Sequence, residues 1–171
     1  MLTQQELKSV LLYKPDTGEF FWKYRSDLDS QWNSKYAGTR AGFINELGYW
    51  KITLGNTSWL AHRLAFLYMT GEIPDLIDHK DQDKSNTKWD NLRIATVSQN
   101  QANAKLRVDN TSGYKNVTWH KQRNKWKVEV RKDGKLHYGG LFTELDKAVN
   151  KANNLRRELF GEFAVYEEFM G

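Results

Sequence analysis

The chain contains no cysteine, and this absence limits how its 171 residues can be stabilised. Without thiolates there are no disulfides, no cysteine-ligated zinc and no cysteine nucleophile. The fold must therefore be held by its own packing, and any metal by oxygen or imidazole ligands. At about 150 residues per domain, the length allows one ordinary domain or two small ones. Because no stretch approaches the ~18 apolar residues of a membrane span, we expect a cytosolic protein without a membrane partner.

The first part of the chain predicts short helices and short strands. Residues 1–13 have the pattern of a helix with Thr3 as its N-cap and Glu6 completing a capping box. Residues 26–40 are polar and are expected to form a loop. A second helix is predicted over 60–69 from the spacing of its apolar residues. Between these segments, short aromatic and β-branched stretches predict a small β meander over residues 19–23, 48–54 and the segment around Trp59.

Segment 76–103 carries the densest group of side chains suited to catalysis. Its pattern predicts a strand, a long polar loop, a second strand and a helix. Asp78 and His79 end the first strand, Asn91 opens the second, and Asn100 lies one turn into the helix. Carboxylate and amide oxygens are ligands that Mg²⁺ or Mn²⁺ accept, and an adjacent imidazole can deprotonate water. These groups supply what hydrolysis of a phosphodiester requires.

Segments in a fixed order carry a family resemblance: Ala61-His62-Arg63-Leu64-Ala65 with Thr70-Gly71-Glu72, then Asp78-His79, then Asp90-Asn91-Leu92-Arg93, then Ser98-Gln99-Asn100-Gln101-Ala102-Asn103. Over about residues 10–105 the chain resembles the HNH endonuclease family, in particular its phage and homing-type branch. The resemblance implies a ββα-metal fold in which His79 is the general base. It implies that Asp78 and Asn100 hold one divalent cation per active site. It further implies that Asn91 braces the loop and orients His79.

The identity of the metal follows from the last position of the motif. That position is often His in the family and is Asn100 here. An amide oxygen is a poor zinc ligand, so we expect Mg²⁺ or Mn²⁺ and no zinc. Arg93 is expected to contact DNA. His62 and Arg63 lie on an apolar helix, and we expect them to serve structure or contact phosphate rather than to act in catalysis.

Two simpler interpretations of this region are an isolated surface loop and a calcium-binding loop. An Asp-His dipeptide by itself usually lies in a surface loop, and only the ordered set of segments favours the nuclease motif. The run Asp81-x-Asp83-x-Ser85 resembles a calcium-binding EF-hand loop. That loop needs glycine at its sixth position and glutamate at its twelfth, where this chain has Asn86 and Leu92. Calcium sensing is therefore rejected.

The end of the chain is strongly basic. Between Tyr114 and Lys135 there are eight basic residues and two acidic ones, an excess larger than the net charge of +5 of the whole chain. Side chains alternate there as in a strand, with Val128 and Val130 on one side and basic residues on the other. Residues 144–160 have an apolar helical stripe that can cover the apolar side of a sheet. The interpretation as a merely solvated surface is the less favoured alternative.

This region also carries a resemblance, in Gly113-Tyr114-Lys115-Asn116-Val117, Lys125-Trp126-Lys127-Val128-Glu129-Val130-Arg131, Gly140-Leu141-Phe142 and Glu158-Leu159-Phe160-Gly161. It resembles the APETALA2/ethylene-response-factor DNA-binding domain. The resemblance implies a three-stranded antiparallel sheet in the DNA major groove, with one helix packed behind it. By strand parity, the residues expected to face the groove are Thr118, His120, Lys127, Glu129, Arg131 and Tyr138.

The sequence therefore predicts an α+β protein of two parts. The first is an HNH nuclease domain over 1–106, with a small β meander and a ββα-metal core at about 76–105. A linker over 107–113 follows, and residues 114–171 form a three-stranded antiparallel sheet packed on one helix. If the two parts fold independently, the metal site is expected to remain whole when residues 109–171 are removed.

The expected function is that of a divalent-metal-dependent DNA endonuclease that cuts double-stranded DNA at a preferred site, by a nick or a double-strand break. The alternative is a DNA-binding regulatory or architectural protein whose HNH fold does not cut. The intact set of Asp78, His79 and Asn100 argues against it. We expect a monomer or a weak dimer on DNA, acting in the cytoplasm of a phage-infected bacterial host. A phage protein is a candidate partner.

Overall fold

The computed structural model describes residues 2–171, which form an α+β protein of small antiparallel sheets and helices. The α+β prediction is confirmed. The chain divides into two compact units: the first unit ends at Ile94 and the second unit begins at Ala95. None of the helices described in residues 2–171 has the length and apolar character needed to cross a lipid bilayer.

The first unit contains a hairpin, a three-stranded meander and a two-stranded ribbon, all antiparallel. Its core is built from fully buried side chains such as Leu7, Phe20, Ile52 and Leu64. The elements are α1 (Gln4–Val10), β1 (Leu11–Lys14), β2 (Glu19–Trp22), α2 (Ser30–Tyr36), β3 (Phe43–Ile44), β4 (Trp50–Leu54), β5 (Thr57–Leu60), α3 (Ala61–Thr70), β6 (Ile77–His79), a 3₁₀ turn (Trp89–Asn91) and β7 (Leu92–Ile94).

The helix predicted over 1–13 is only half right. The capping box is present, since the Thr3 side chain accepts from the Glu6 N–H at 3.2 Å and the Glu6 carboxylate accepts from the Thr3 N–H at 2.7 Å. The helix stops at the end of α1, and the following residues form β1 with alternating buried and exposed side chains. Pairing with β2 across the hairpin overrides the helical pattern there.

The polar loop predicted over 26–40 contains a helix, so that prediction is wrong for α2. Asp29 caps this helix by accepting from the Trp32 N–H at 2.6 Å. The Trp32 ring then packs edge-on against Trp22 with ring centres 5.7 Å apart. Aromatic packing on β2 stabilises a helix whose polar composition gives little apolar periodicity.

The second unit is a sheet of three antiparallel strands in the order β10-β9-β8, with α5 packed on one side of it. The predicted three-stranded sheet on one helix is confirmed. The apolar stripe of α5, including Ala148 and Ala152, is buried against Val117 and Val128. The elements are α4 (Val97–Asn103), β8 (Val117–His120), a 3₁₀ turn (Lys121–Arg123), β9 (Lys125–Lys132), β10 (Lys135–Phe142), α5 (Leu145–Phe160) and a 3₁₀ turn (Gly161–Phe163).

The segment predicted as a linker, 107–113, lies within the second unit. Arg107 and Asp109 form an exposed ion pair at 2.8 Å. Further along, the Ser112 hydroxyl donates to the Val117 carbonyl at 2.7 Å, and the Asn110 side chain accepts from two backbone N–H groups. The later half of this segment is therefore tied to the sheet by hydrogen bonds.

Candidate functional site

The ribbon formed by β6 and β7 carries the adjacent residues Asp78 and His79 at the end of β6. Asp78 lies opposite Arg93 across the ribbon, and His79 lies opposite Leu92. The whole of β6 is buried: Asp78 is 4% exposed and His79 is 6% exposed. The carboxylate of Asp78 can be buried in this strand because Arg93 pairs with it.

Asp78 is held by a buried ion pair. Arg93 donates from Nε to its carboxylate at 2.8 Å, and both side chains are largely shielded from water. Such charge-assisted bonds fix the carboxylate in one orientation. Arg93, which the sequence analysis expected on a DNA-contacting surface, is thus placed beside the candidate metal ligand.

His79 sits among aromatic rings. Its ring centre lies 4.9 Å from that of His62, which is edge-on at 84°, and 6.2 Å from that of Tyr49. Burial lowers the pKa of His79 below its ordinary value, although the carboxylates of Asp81, Asp78 and Asp83 oppose the shift. The pKa of His62 is lowered to about 3, mainly by burial. Both imidazoles are therefore neutral near pH 7, and a neutral imidazole can accept a proton.

The loop between β6 and β7 is braced by Asn91. Its side-chain amide donates to Asp81 Oδ1 and to the Asn86 carbonyl, both at 2.9 Å, and its oxygen accepts from the Asp81 N–H at 3.1 Å. Its backbone carbonyl accepts from the Lys80 N–H at 2.9 Å. These bonds fix the turn that directly follows His79.

The far end of the same loop is anchored to the first hairpin. The Thr87 hydroxyl donates to the Gly18 carbonyl at 2.5 Å, and the Tyr13 hydroxyl donates to the Thr87 carbonyl at 2.6 Å. Thr87 is 3% exposed, so these bonds are shielded from water. The polar loop is consequently held by hydrogen bonds at both ends.

Asn100 is carried by α4 in the second unit. Thr96 caps this helix with a complete capping box that includes Gln99. Asn100 itself is half-buried, and its N–H donates to the Thr96 carbonyl at 2.9 Å. The residues expected to bind metal are thus divided, with Asp78 in the first unit and Asn100 in the second.

The second unit holds α4 firmly. Ala95 and Ala102 pack into a small core with Val130, Phe160 and Phe163. The Ser98 hydroxyl accepts from the Asp133 N–H at 2.8 Å. At the other end of the helix, the ammonium of Lys115 donates to the Ala102 carbonyl at 2.7 Å and also to the Ala104 carbonyl. These contacts, none of which the sequence analysis predicted, bind α4 to the sheet.

One side of the sheet carries the residues expected to contact DNA, which we term the basic face. Thr118 lies opposite Lys127, and Tyr138 lies opposite Glu129, so these four side chains share a side of the sheet. Lys127 pairs with Glu129 at 2.7 Å, and Arg131 is exposed with one donor on the Gly134 carbonyl at 3.2 Å. The members of the basic face are Thr118, His120, Lys127, Glu129, Arg131 and Tyr138.

Tyr49 and His62 lie next to His79, and the sequence did not predict either of them as a site residue. Tyr49 precedes β4 and gave no motif signal. His62 belongs to a quoted motif on α3, but nothing in the sequence reported its approach to His79. Within residues 2–171, no group of three or more His, Asp or Glu side chains is arranged to hold a metal ion by itself.

The arrangement places a buried imidazole that can accept a proton beside a buried carboxylate at the end of a β ribbon. Residues 60–102 match a family model described as HNH endonuclease. Protein 3.8 of Escherichia phage T7 is 40% identical over 96 residues, which are 55% of this chain and 78% of that protein. The chain belongs to the HNH endonuclease family, a family of nucleases.

Two further similarities are partial. The uncharacterized HNH endonuclease L560 of Acanthamoeba polyphaga mimivirus is 35% identical over 106 residues, which are 60% of this chain and 54% of that protein. A solved structure described as DNA binding and cleavage by the HNH homing endonuclease I-HmuI is similar at a TM-score of 0.40 and 26% identity. That match covers 55% of this chain and 51% of the solved one. The chain thus spans about half the length of each of these two proteins.

Proposed function

We propose that the protein is a divalent-metal-dependent DNA endonuclease that hydrolyses phosphodiester bonds at a preferred site in double-stranded DNA. The observation that carries this proposal is the buried, neutral imidazole of His79 directly beside the buried carboxylate of Asp78. A regulatory DNA-binding protein has no use for a neutral imidazole held in this way. Membership of the HNH endonuclease family supports the same function.

The donor chemistry fits a hard divalent cation. Asp78 offers a carboxylate that Arg93 already orients, and Asn100 offers an amide oxygen. Mg²⁺ and Mn²⁺ accept such oxygen ligands, take phosphate oxygens as well, and keep several waters. When bound, the cation would neutralise charge on the phosphate and on the leaving oxygen. Asp78 and Asn100 would hold one such ion in each active site, and zinc is not expected.

The contacts of the protein residues support a proposed role for each of them. His79 accepts a proton from a water molecule while the water oxygen forms a bond to phosphorus. The bond from phosphorus to the leaving oxygen breaks, and that oxygen takes a proton from solvent. Asn91 holds the turn after β6 and thereby the backbone of His79. Arg93 keeps the carboxylate of Asp78 in place.

We further propose that the second unit reads DNA through the basic face. A three-stranded antiparallel sheet backed by one helix supports the APETALA2-like assignment of residues 114–171. Arginine binds guanine bidentately, lysine and histidine contact phosphates, and glutamate accepts from cytosine. The basic face therefore combines groups that position the duplex with groups that discriminate bases. The division into a nuclease domain over 1–106, a linker over 107–113 and this domain is proposed as a division of function, since α4 of the nuclease segment packs with the second unit.

We also propose an oligomeric state, a mode of cutting and a cellular location for the protein. One active site per chain favours a monomer that nicks DNA, with double-strand breaks arising from a weak dimer or from two successive events. Similarity to a phage T7 protein supports action in the cytoplasm of an infected bacterium, where a phage protein is a candidate partner.

The test is cleavage of supercoiled plasmid and phage DNA in Mg²⁺ or Mn²⁺, with the ends of the products mapped. His79→Ala should slow cleavage about 10²- to 10⁴-fold while DNA affinity changes little, because loss of a general base has that cost. His137→Ala, at a half-buried histidine of β10, is the matched control and should cut normally. Cleavage by His79→Ala at the wild-type rate would remove His79 from the mechanism. DNA binding without any cleavage by the wild type would favour the regulatory alternative.

A further inference from the structure

His62 is a buried polar residue at a position where an apolar side chain would pack without an unpaired nitrogen. It is the second residue of α3, is 6% exposed, and its Nδ1 atom is buried without a hydrogen-bond partner among the described residues. A buried nitrogen without a partner costs free energy that an apolar side chain would avoid. Stability of α3 alone therefore does not account for an imidazole at this position.

The contacts of the His62 ring are with other rings. It meets His79 edge-on at 4.9 Å and Tyr49 at 5.4 Å, and Tyr49 lies 6.2 Å from His79. The three rings come from the end of β6, the start of α3 and the segment before β4. All belong to the first unit. The ammonium of Lys84 lies 4.9 Å from the centre of the Tyr49 ring and completes the cluster.

This cluster restricts rotation of the His79 side chain. An imidazole has a broad torsion about its ring bond, so its plane is set by what packs against it. Edge-to-face and tilted contacts hold neighbouring rings at defined angles. General-base catalysis needs the accepting nitrogen within hydrogen-bond reach of the attacking water, and a small misplacement is costly.

We propose that His62 and Tyr49 are positioning residues that fix the ring plane of His79 for proton abstraction. The proposal rests on the function proposed above and adds two residues to it. It predicts that an aromatic ring is what matters at both positions, since the contacts are made by ring faces and edges rather than by hydrogen bonds.

The first experiment compares ring-removing with ring-retaining variants of the full-length protein. His62→Leu and Tyr49→Leu remove a ring, whereas His62→Phe and Tyr49→Phe retain one. Single-turnover cleavage at saturating DNA, DNA affinity by fluorescence anisotropy, and the melting temperature are measured for each. The leucine variants should cut about tenfold more slowly or worse, with DNA affinity within about twofold of the wild type. The phenylalanine variants should stay within about threefold of the wild-type rate.

Two cleavage outcomes would overturn the proposal. Leucine variants that cut at the wild-type rate would show that the rings do not position His79. Phenylalanine variants as slow as the leucine variants, with unchanged melting temperatures, would show that the His62 nitrogen or the Tyr49 hydroxyl acts directly.

A second measurement needs no cleavage and so separates this proposal from the proposed function. The chain has four histidines, so their imidazole C–H signals can be assigned by NMR one substitution at a time. The His79 signal should be sharp and shifted by ring currents in the wild type and in His62→Phe. It should broaden and move towards the random-coil position in His62→Leu. A His79 signal as sharp in His62→Leu as in the wild type would refute the positioning role, whether or not the wild type cuts DNA.

Discussion

Replacing Lys115 by methionine is expected to loosen α4 from the second unit. The Lys115 ammonium donates to the Ala102 carbonyl at 2.7 Å and to the Ala104 carbonyl, and it lies 3.4 Å from the Gln101 carbonyl. The Ala102 and Ala104 carbonyls are among those that a helix leaves without intrahelical partners at its C-terminal end, whereas the Gln101 carbonyl also accepts from the Ala104 N–H at 3.3 Å. Methionine keeps most of the apolar stem but has no donor, so the substitution removes the cap and little packing.

The magnitude follows from these contacts. A hydrogen bond from a charged donor contributes about 1.5–3 kcal/mol, and a positive charge at a helix C-terminus about 0.3–1 kcal/mol. Lys115 is half-buried, burial lowers the pKa of its ammonium to about 8, and its contact at 3.4 Å is too long to add much, so its contribution lies toward the low end of these ranges. Water can also replace the lost donor at the exposed carbonyls. We therefore expect a loss of about 2 kcal/mol in the free energy of unfolding. For a domain of this size, that lowers the melting temperature by roughly 8–16 °C.

The assay is thermal unfolding of the full-length chain by differential scanning calorimetry, which separates the two units if they melt independently. Lys121→Met is the matched control, because Lys121 is an exposed lysine in the 3₁₀ turn of the same sheet. Surface substitutions of this kind change stability by less than about 0.5 kcal/mol. If Lys115→Met melted with the control, the Lys115 cap would contribute nothing to the stability of the second unit.

Further outcomes are expected. A chain of residues 1–106 should lack an ordered α4 and cut DNA poorly, as circular dichroism and a cleavage assay would reveal; normal cleavage would show that α4 folds without the sheet. Gly139→Ala should destabilise the second unit by about 1–3 kcal/mol in urea unfolding, because a Cβ there would lie 2.6 Å from a methyl carbon of Val128. Arg131→Ala should change which sequences are preferred, whereas Lys127→Ala should weaken binding to all sequences and flatten its salt dependence, measured on target and scrambled duplexes. Equal effects of the two substitutions would contradict separate roles.

Local patterns in the sequence were sufficient where the deciding interactions are local. The strand, loop, strand and helix of segment 76–103 are present, and so is the capping box at Thr3. The alternation in β9 and the apolar stripe of α5 correctly predict the sheet with its helix. In each case the residues that determine the element are neighbours along the chain, so periodicity and capping chemistry report it directly.

The sequence predictions failed where residues far apart in the chain determine the local structure. β1 has helical periodicity and becomes a strand because β2 pairs with it. α2 is polar and becomes a helix because Trp32 packs on Trp22. At the candidate site, Asp78 and His79 were selected from the motif, but the approach of Tyr49 and His62 depends on how three separate elements pack. Sequence periodicity does not contain such contacts.

Because α4 belongs to the second unit, the proposed metal ligand Asn100 and the proposed DNA-binding basic face depend on the same folded unit. A helix of seven residues is too short to be stable alone in water, so α4 needs a surface to pack on. In this chain that surface is the core around Val130 and Phe160, together with the cap from Lys115. The helix that carries Asn100 and the sheet that carries the basic face therefore form one folded body. Removing residues 109–171 would remove the support of α4 as well as the basic face, so we expect the deletion to unfold the helix that carries Asn100, contrary to the expectation that the metal site survives it.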